Sequence, residues 1–560
     1  MSLCRHTTLT IFDLSTIMPH ISYYFQINGT TEETITYGEI AQKAMNLAIS
    51  LSRLGVRKGQ VVGICSENRT EFWSAVVGSI CTGASFTTFN MMYTKHELTH
   101  VAGISKPKCV FLSPLAYKMH EKTLKSLKYV EKIIVFGDEK PAGTISYNDL
   151  VSAQNVKYEE FRAVDVDTPD DTLFILYSSG TTGLPKGVAL THRNALTSKT
   201  PQPPIYLMIT PWFHTMGLMG SLLYLASGRN MVYLPKFEIE MYLKCIEKYK
   251  VTRLYVVPPV LVAIVKYPNK YDLSTIDLIY SGAAPLTKET ADAVKDKFPN
   301  VKSVLQGYGM TETALAVTRC TDAESKSGTV GTVVPGAIIK VIDLKTREPV
   351  GANQTGEICV KGGIVMKGYI GKDRREDFDD EGFFRTGDVG YYDEDGDFFI
   401  VDRLKELIKY KGYQVAPAEL EAVLLQHPNR HLSVSSLSVL LQHPAVRDAG
   451  VVGIPDSSAG EVPRAFVTLQ PGATATVEEL QQFVAEKGRE ASASVGKAPY
   501  PKVSYYVHKR LTLTNVCSQL SNPKHLRGGV RFVPEIPKNP SGKILRRELR
   551  KLALTQQSKL

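Results

Sequence analysis

Apolar and polar positions follow two rhythms along the first 340 residues. Short apolar runs read as buried strands: "QVVGIC" (60–65), "KCVFL" (108–112), "KIIVFG" (132–137), "RLYVVP" (253–258), "LIYSG" (278–282) and "VLQGYG" (304–309). The amphipathic stretches between them read as helices. Strands alternating with helices predict an α/β fold of parallel-type sheets, and several runs stop at small or Gly-rich turns. There such a sheet presents its strand ends to a ligand. From about residue 340 the texture changes to "KVIDLKTREPV", "GEICVKG" and "GYYDEDGDFFIVDR", a small β-rich subdomain over about 340–402. After Arg403 the pattern predicts a helix over 418–426, strands near 446–453 and 464–469, and helices over 476–487 and 541–553. The expected division is a large N-terminal domain, 1–402, and a smaller α+β C-terminal domain, 403–560, with a hinge at Asp402–Arg403.

Composition narrows the function classes. With 560 residues and 43% hydrophobic content, the chain has ample core for two or more domains. Its longest apolar run, "LYVVPPVLVAIV" (254–265), is interrupted by Pro258 and Pro259 and is too short to span a bilayer. The N-terminus lacks an apolar stretch followed by a cleavage site, which argues against secretion. Eight cysteines form no C-x-x-C pair and read as reduced, mostly buried thiols. The histidines show no H-E-x-x-H spacing, so no metal cluster is expected. A net charge of +10 suits small anionic ligands and does not by itself indicate nucleic acid. The terminal Ser558-Lys559-Leu560 is an address read by the peroxisomal import receptor, so the expected compartment is the peroxisome.

The densest chemistry lies in "YSSGTTGLPKGVALTH" (177–192). Ser178, Ser179, Thr181 and Thr182 offer hydroxyls, Gly180, Gly183 and Gly187 let backbone amides converge, and Lys186 adds a full charge. Such a nest attracts phosphate. It is not a Walker A loop, because Lys186 is followed by Gly187 and no hydroxyl stands beside it to hold Mg²⁺. The apolar "TLFILY" (172–177) before it predicts a strand, so the loop leaves the end of a sheet.

The motifs "YSSGTTGLPKG", "YSGAAPL" (280–286), "QGYGMTET" (306–313), "RTGDVGYYDEDGDFFIVDR" (385–403), "LKELIKYKGYQVAPAELE" (404–421) and "PKNPSGKILRREL" (537–549) occur in this order. Together they resemble the adenylate-forming superfamily, in the branch of acyl-CoA synthetases, 4-coumarate–CoA ligases and beetle luciferases. The resemblance runs from about residue 34 to the C-terminus. It implies an acid–thiol ligase that uses ATP and CoA as co-substrates and Mg²⁺ as metal. The acid, fatty or aryl-propenoic, first becomes an acyl-adenylate and is then transferred to CoA.

Under the resemblance the opening loop holds the phosphates of ATP, Thr311 touches phosphate and Glu312 holds Mg²⁺. Gly282, Ala283, Ala284 and Pro285 would lie flat against the purine, with Gln306, Gly307, Tyr308, Gly309 and Met310 beside the nucleotide. Asp388 and Arg403 would face the ribose. Lys543 would bridge carboxylate and α-phosphate during adenylation. After the C-terminal domain swings about the hinge, Lys409, Gly412 and Gln414 would face the CoA step. His214, in "PWFHTMG" (211–217), reads from its neighbours as a core histidine, and the resemblance assigns it to substrate positioning. "DEDGD" (393–397) lacks the register and later Glu of a calcium loop and predicts a hairpin turn.

Three places depart from the family pattern. Only sixteen residues, "ALTSKTPQPPIYLMIT", separate Asn194 from Pro211, where relatives have a longer helical approach that walls the acyl pocket. "VLLQHP" occurs at both 423–428 and 439–444. The segment 501–523 interrupts the run into "KHLRGG" and is expected to loop out, since lengthening a flexible loop costs only about 0.6 kcal/mol per doubling. Two other functions share the adenylation motifs: a luciferase-type monooxygenase, in which O₂ replaces CoA, and a non-catalytic acyl- or nucleotide-binding protein.

Overall fold

A computed structural model describes residues 23–178, 185–198, 205–268, 270–282, 288–302, 304–321, 326, 328–410, 413–415, 417, 445–456, 458–484, 526–538 and 543–554. By contact the chain forms two compact units. The first comprises Met1–Ser325, Val333–Ile338 and Val360–Phe384, the second Lys326–Thr332, Ile339–Cys359 and Arg385–Leu560.

The six apolar runs become strands Val61–Cys65, Cys109–Leu112, Lys132–Val135, Arg253–Val256, Leu278–Ser281 and Val304–Met310. They feed two large sheets of the first unit. The eight-stranded sheet runs in the order Gly368–Tyr369, Lys186–Thr191, Thr172–Ser178, Ser85–Phe89, Val61–Cys65, Cys109–Leu112, Lys132–Val135, Ile145–Ser146. Its pairings are parallel from Thr172–Ser178 onward, and only the two pairings of Lys186–Thr191 are antiparallel. Parallel sheets bury both faces, which is why "VVGIC" and "CVFL" are almost continuously apolar.

The nine-stranded sheet includes, in spatial order, Leu315–Arg319, Val304–Met310, Leu278–Ser281, Arg253–Val256, Ile205–Met208, Asn230–Tyr233, Tyr24–Asn28 and Thr34–Thr36. Leu207, Val232, Leu254, Val256 and Ile279 occupy one of its faces with apolar residues of the helices Ile239–Tyr249 and Pro258–Lys266. Helix starts are chemically marked: Thr36 with Glu39 and Thr94 with Glu97 form reciprocal caps on Tyr37–Arg53 and Lys95–Ser105.

A four-stranded sheet, most of whose residues belong to the second unit, runs Ala337–Ile342, Gly356–Gly362, Phe384–Tyr392, Phe398–Arg403, the β-rich region expected near 340–402. "DEDGD" is the turn between its last two strands. Asp393 Oδ1 accepts from the amides of Asp395 and Asp397, Gly396 has φ +82°, and the Lys326 ammonium bridges all three aspartates. A further sheet pairs Val446–Asp456 with Gly460–Leu469, Ile408–Tyr410 with Tyr413–Val415, and adds Val530–Phe532. The terminal helix is Arg546–Leu554, and residues 477–484 are helical. The helix expected over 418–426, the repeat 429–444 and the segment 501–523 lie outside the described residues. In the short approach between Asn194 and Pro211 the helix His192–Thr197 ends and the strand Ile205–Met208 follows.

The described cysteines 65, 81, 109, 245, 320 and 359 are unbridged and buried, as expected. Among the described residues no helix is long and apolar enough to cross a membrane.

His192 is 2% exposed, and burial lowers its pKa to about 4, against the opposing pull of Asp171. The unfolded chain, with its histidine near 6.5, therefore takes up this proton first as pH falls. The stability associated with neutral His192 is complete above about pH 6.5 and lost towards pH 4, a loss on the order of 2–3 kcal/mol. Urea midpoints measured across this range should fall more steeply for the natural protein than for His192→Asn.

Candidate active site

The predicted strand before the phosphate loop is present as Thr172–Ser178, and it pairs antiparallel with Lys186–Thr191, Ser178 opposite Lys186. The loop is thus the connection of a hairpin at a sheet end. Ser179, Gly180, Thr181, Thr182 and Gly183 lie outside the described residues. Lys186 carries its ammonium 4.4 Å from the centre of the Tyr369 ring, a cation–π contact. Tyr369 arrives on the adjoining edge strand, paired with Val188. Its hydroxyl donates to Glu312 Oε1 at 2.7 Å and meets the Ser178 hydroxyl. Burial first, then the neighbouring Glu312 carboxylate, raises the phenol well above its ordinary range, so it remains a donor.

Glu312 stands in a hairpin turn. Val304–Met310 and Leu315–Arg319 pair antiparallel, and Thr311–Thr313 forms a single 3₁₀ turn between them. Helix capping, the ordinary role for such residues, is therefore not what Thr311 and Glu312 do. A Cβ on Gly309 would lie 1.8 Å from the Leu315 carbonyl oxygen, so only glycine lets the two backbones approach this closely. Glu312 is 8% exposed, and its carbonyl accepts from the Met366 amide at 2.8 Å. Thr311 Oγ1 accepts from Thr215 Oγ1 at 3.0 Å, and Thr215 opens the helix Thr215–Ala226.

The other nucleotide candidates lie on the same sheet. Gln306 gives its carbonyl to Cys320, Gly307 and Tyr308 pair with Arg319 and Thr318, and Met310 receives Thr313 Oγ1 on its carbonyl. A Cβ on Gly282 would meet nothing nearer than the Gly307 oxygen at 3.6 Å, leaving a flat, open step. Ala283, Ala284 and Pro285 lie outside the described residues. His214 is half-buried at the start of the Thr215 helix, with its ring 4.4 Å from that of Phe213. Its Nε2 is enclosed without a hydrogen-bond partner, and burial lowers its pKa to about 4. A neutral imidazole suits positioning rather than proton transfer at neutral pH.

The second unit holds another cluster. Asp388, 3% exposed, is paired with Arg403 across the hairpin, with Arg403 Nε 3.0 Å from Asp388 Oδ1. The two expected ribose partners thus hold each other. Lys543 is half-buried in the same surroundings. Burial and then the Arg403 charge lower its pKa, while Glu406 and Asp388 act in the opposite sense. Glu406 in turn forms a buried pair with Arg546, 2.7 Å apart, and the Arg546 guanidinium also reaches the Val451 carbonyl. Lys409 is exposed on the strand Ile408–Tyr410, opposite Gln414, and its amide donates to Glu461. Gly412 lies outside the described residues.

Within the first unit the structure therefore brings together Ser178, Lys186, Thr311 and Glu312; within the second, Asp388, Arg403 and Lys543. Sequence reasoning missed Tyr369, Thr215, Glu406 and Arg546. Glu406 and Arg546 lie inside stretches already singled out, "LKELIKYKG" and "KILRREL", but nothing in spacing marks them as partners. Tyr369 had no signal, because a lone tyrosine after a glycine is unremarkable until its hydroxyl is located.

Residues 19–370 match the family model of the AMP-binding enzymes, and 438–543 match that of the AMP-binding enzyme C-terminal domain. A luciferin 4-monooxygenase of Nipponoluciola cruciata is 39% identical over 94% of this chain and 90% of its own length. 4-Coumarate-CoA ligase 1 of Narcissus pseudonarcissus is 37% identical over 95% and 93%. The ATP-bound crystal structure of MatB from Rhodopseudomonas palustris superposes with a TM-score of 0.77 at 26% identity, covering 97% of this chain and 99% of that one. A family model spanning more than half the chain and relatives aligned nearly end to end lead to one conclusion: the chain belongs to the adenylate-forming AMP-binding enzymes, in the branch shared by 4-coumarate–CoA ligases and luciferases.

Proposed function

We propose that this enzyme is an AMP-forming acid–CoA ligase acting on a fatty or aryl-propenoic acid. The observation that carries the reading is the meeting of Lys186 and Glu312 on the two sides of Tyr369. A polyphosphate needs a cation and an oxygen ligand for its metal close together, and Tyr369 keeps them together without letting them form an ion pair. The buried Glu312 carboxylate fits Mg²⁺, which takes oxygen ligands. The metal, when bound, would neutralise charge on the transferring phosphate.

The first step joins two anions, a carboxylate and the α-phosphate, so charge neutralisation dominates its barrier. Lys186 and the loop hydroxyls would hold the outgoing pyrophosphate, Thr311 the nearer phosphates, and Asp388 with Arg403 the ribose. Lys543 would stand between carboxylate and phosphate. In the second step the CoA thiolate displaces AMP. We further propose that the C-terminal domain swings about Asp402–Arg403 between the steps, withdrawing Lys543 and presenting Lys409, Gly412 and Gln414. Closure of this kind lets one site serve two reactions.

The luciferin 4-monooxygenase relative supports a second reading, in which the adenylate meets O₂; light from luciferin and ATP would decide for it. The ligase reading is tested by screening fatty and aryl-propenoic acids for AMP release that depends on acid, ATP and CoA. The expected result is thioester formation with one of these classes, and acid-independent AMP release would sink it.

Lys543→Ala should slow adenylate formation roughly a hundredfold or more, while thioester formation from supplied acyl-adenylate stays nearly normal. Lys409→Ala should show the mirror pattern, with adenylate accumulating; pyrophosphate exchange and single-turnover thioester assays separate the two. For location, removing Leu560 from a tagged full-length chain should leave it in the cytosol, because the import receptor reads a free C-terminus. Fluorescence microscopy would show continued import if the signal lies elsewhere.

A further inference from the structure

The helix Thr215–Ala226 lies over the nine-stranded sheet. It packs on the strands Ile205–Met208 and Asn230–Tyr233 at one side and on Leu315–Arg319 at the other. In the sheet, three strands lie between those contacts: Arg253–Val256, Leu278–Ser281 and Val304–Met310. The helix therefore bridges a slot floored by the middle strands. Register decides which side chains line it. Tyr206 pairs with Arg253, Tyr255 with Tyr280, Tyr280 with Leu305, and Gly307 with Arg319. In a pleated sheet residues at i and i+2 share a face. Tyr206, Arg253, Tyr255, Tyr280, Gly307 and Arg319 accordingly share one face, and Tyr224 of the helix, stacked 4.6 Å from Tyr206, identifies it as the face the helix covers.

One end of the slot is the expected reaction site, where Thr215 bonds to Thr311. From Thr215 to Tyr224 the helix advances about 14 Å. Between these ends Gly282 and Gly307 add no side chain to the floor, and Tyr255 and Tyr280, stacked 5.0 Å apart, remain half-buried beneath the helix. Away from Thr311 the slot turns cationic. Arg253 bonds the Tyr255 hydroxyl, and the charges of Arg253 and Arg319 both act on that phenol. Arg253 has a carboxylate, Asp277, at 3.7 Å. Arg319 is half-buried, its Nε is enclosed without a hydrogen-bond partner, and among the described residues it has no ion pair. Holding a guanidinium in such a place is costly unless something anionic completes it.

We infer that Arg319 reads a second carboxylate at the far end of the substrate, so the acid this enzyme activates is dicarboxylic, one carboxylate at Thr311 and the other at Arg319. The inference rests on the ligase reading for its first carboxylate only. Arg319 acts as a specificity residue and takes no part in the chemistry. A planar guanidinium suits a carboxylate through two parallel hydrogen bonds, which a methyl terminus cannot supply.

Decanoate and decanedioate form a matched pair for the test. Each is offered to the full-length protein with ATP, Mg²⁺ and CoA while AMP is followed, and each is titrated calorimetrically into the same protein. Decanedioate should be preferred roughly a hundredfold in kcat/KM and should bind more tightly. Arg319→Met should collapse that preference through the diacid, whereas Arg319→Lys should keep part of it. A natural protein that favours decanoate, or an Arg319→Met variant that loses both acids equally, overturns the inference. If neither acid releases AMP yet calorimetry still shows a diacid preference that Arg319→Met erases, the slot stands and the ligase reading falls. No calorimetric preference for the diacid overturns the inference whatever the turnover.

Discussion

A buried carboxylate needs a committed donor, and Glu312 has one in the Tyr369 hydroxyl. That hydrogen bond joins the edge of the eight-stranded sheet to the turn of the hairpin Val304–Met310 and Leu315–Arg319, near one edge of the nine-stranded sheet. The Met366 amide on the Glu312 carbonyl reinforces the same junction. The remaining geometry of the first unit follows from it. Lys186 is placed because Tyr369 lies beside Val188, Thr311 because the turn is fixed, and the Thr215 helix because its first hydroxyl rests on Thr311.

The second unit solves a related problem differently. Asp388, Arg403, Glu406, Arg546 and Lys543 place two acids and three bases in a small, largely buried volume. Buried ion pairs contribute little net stability, because desolvation offsets their attraction. Their effect is on orientation: Arg546 ties the start of the terminal helix to Glu406, only three residues beyond Arg403. A lysine three positions before Arg546 inherits that placement.

Much of the eight-stranded sheet was legible because strands such as Val61–Cys65 and Cys109–Leu112 are buried on both faces and appear as nearly unbroken apolar runs, within one or two residues of their observed ends. The turn at "DEDGD" was legible from its composition and the missing calcium register. The site was legible only where chemistry repeats in sequence, as in the hydroxyls and glycines around Lys186. Tyr369 was illegible since its role depends on a partner 57 residues away, brought close by tertiary folding. Arg319 was illegible for a different reason: its face of the sheet is set by pairing with Gly307, and a single register step would turn it to the other side.

The buried cysteines give the molecule a built-in clock. Burial pushes the Cys81 thiol up to about 12, and the Cys109 and Cys245 thiols to about 11. Thiolate, the reactive form, is thus scarce in the closed protein, and reagent access is blocked as well. Alkylation at any of these positions would have to wait for a local opening of the sheet or helix that covers it. Cys109 sits within the eight-stranded sheet and Cys245 on a helix against the nine-stranded one. The order in which their sulfurs become labelled would therefore time the loosening of each sheet separately, in the unaltered chain and without an added probe.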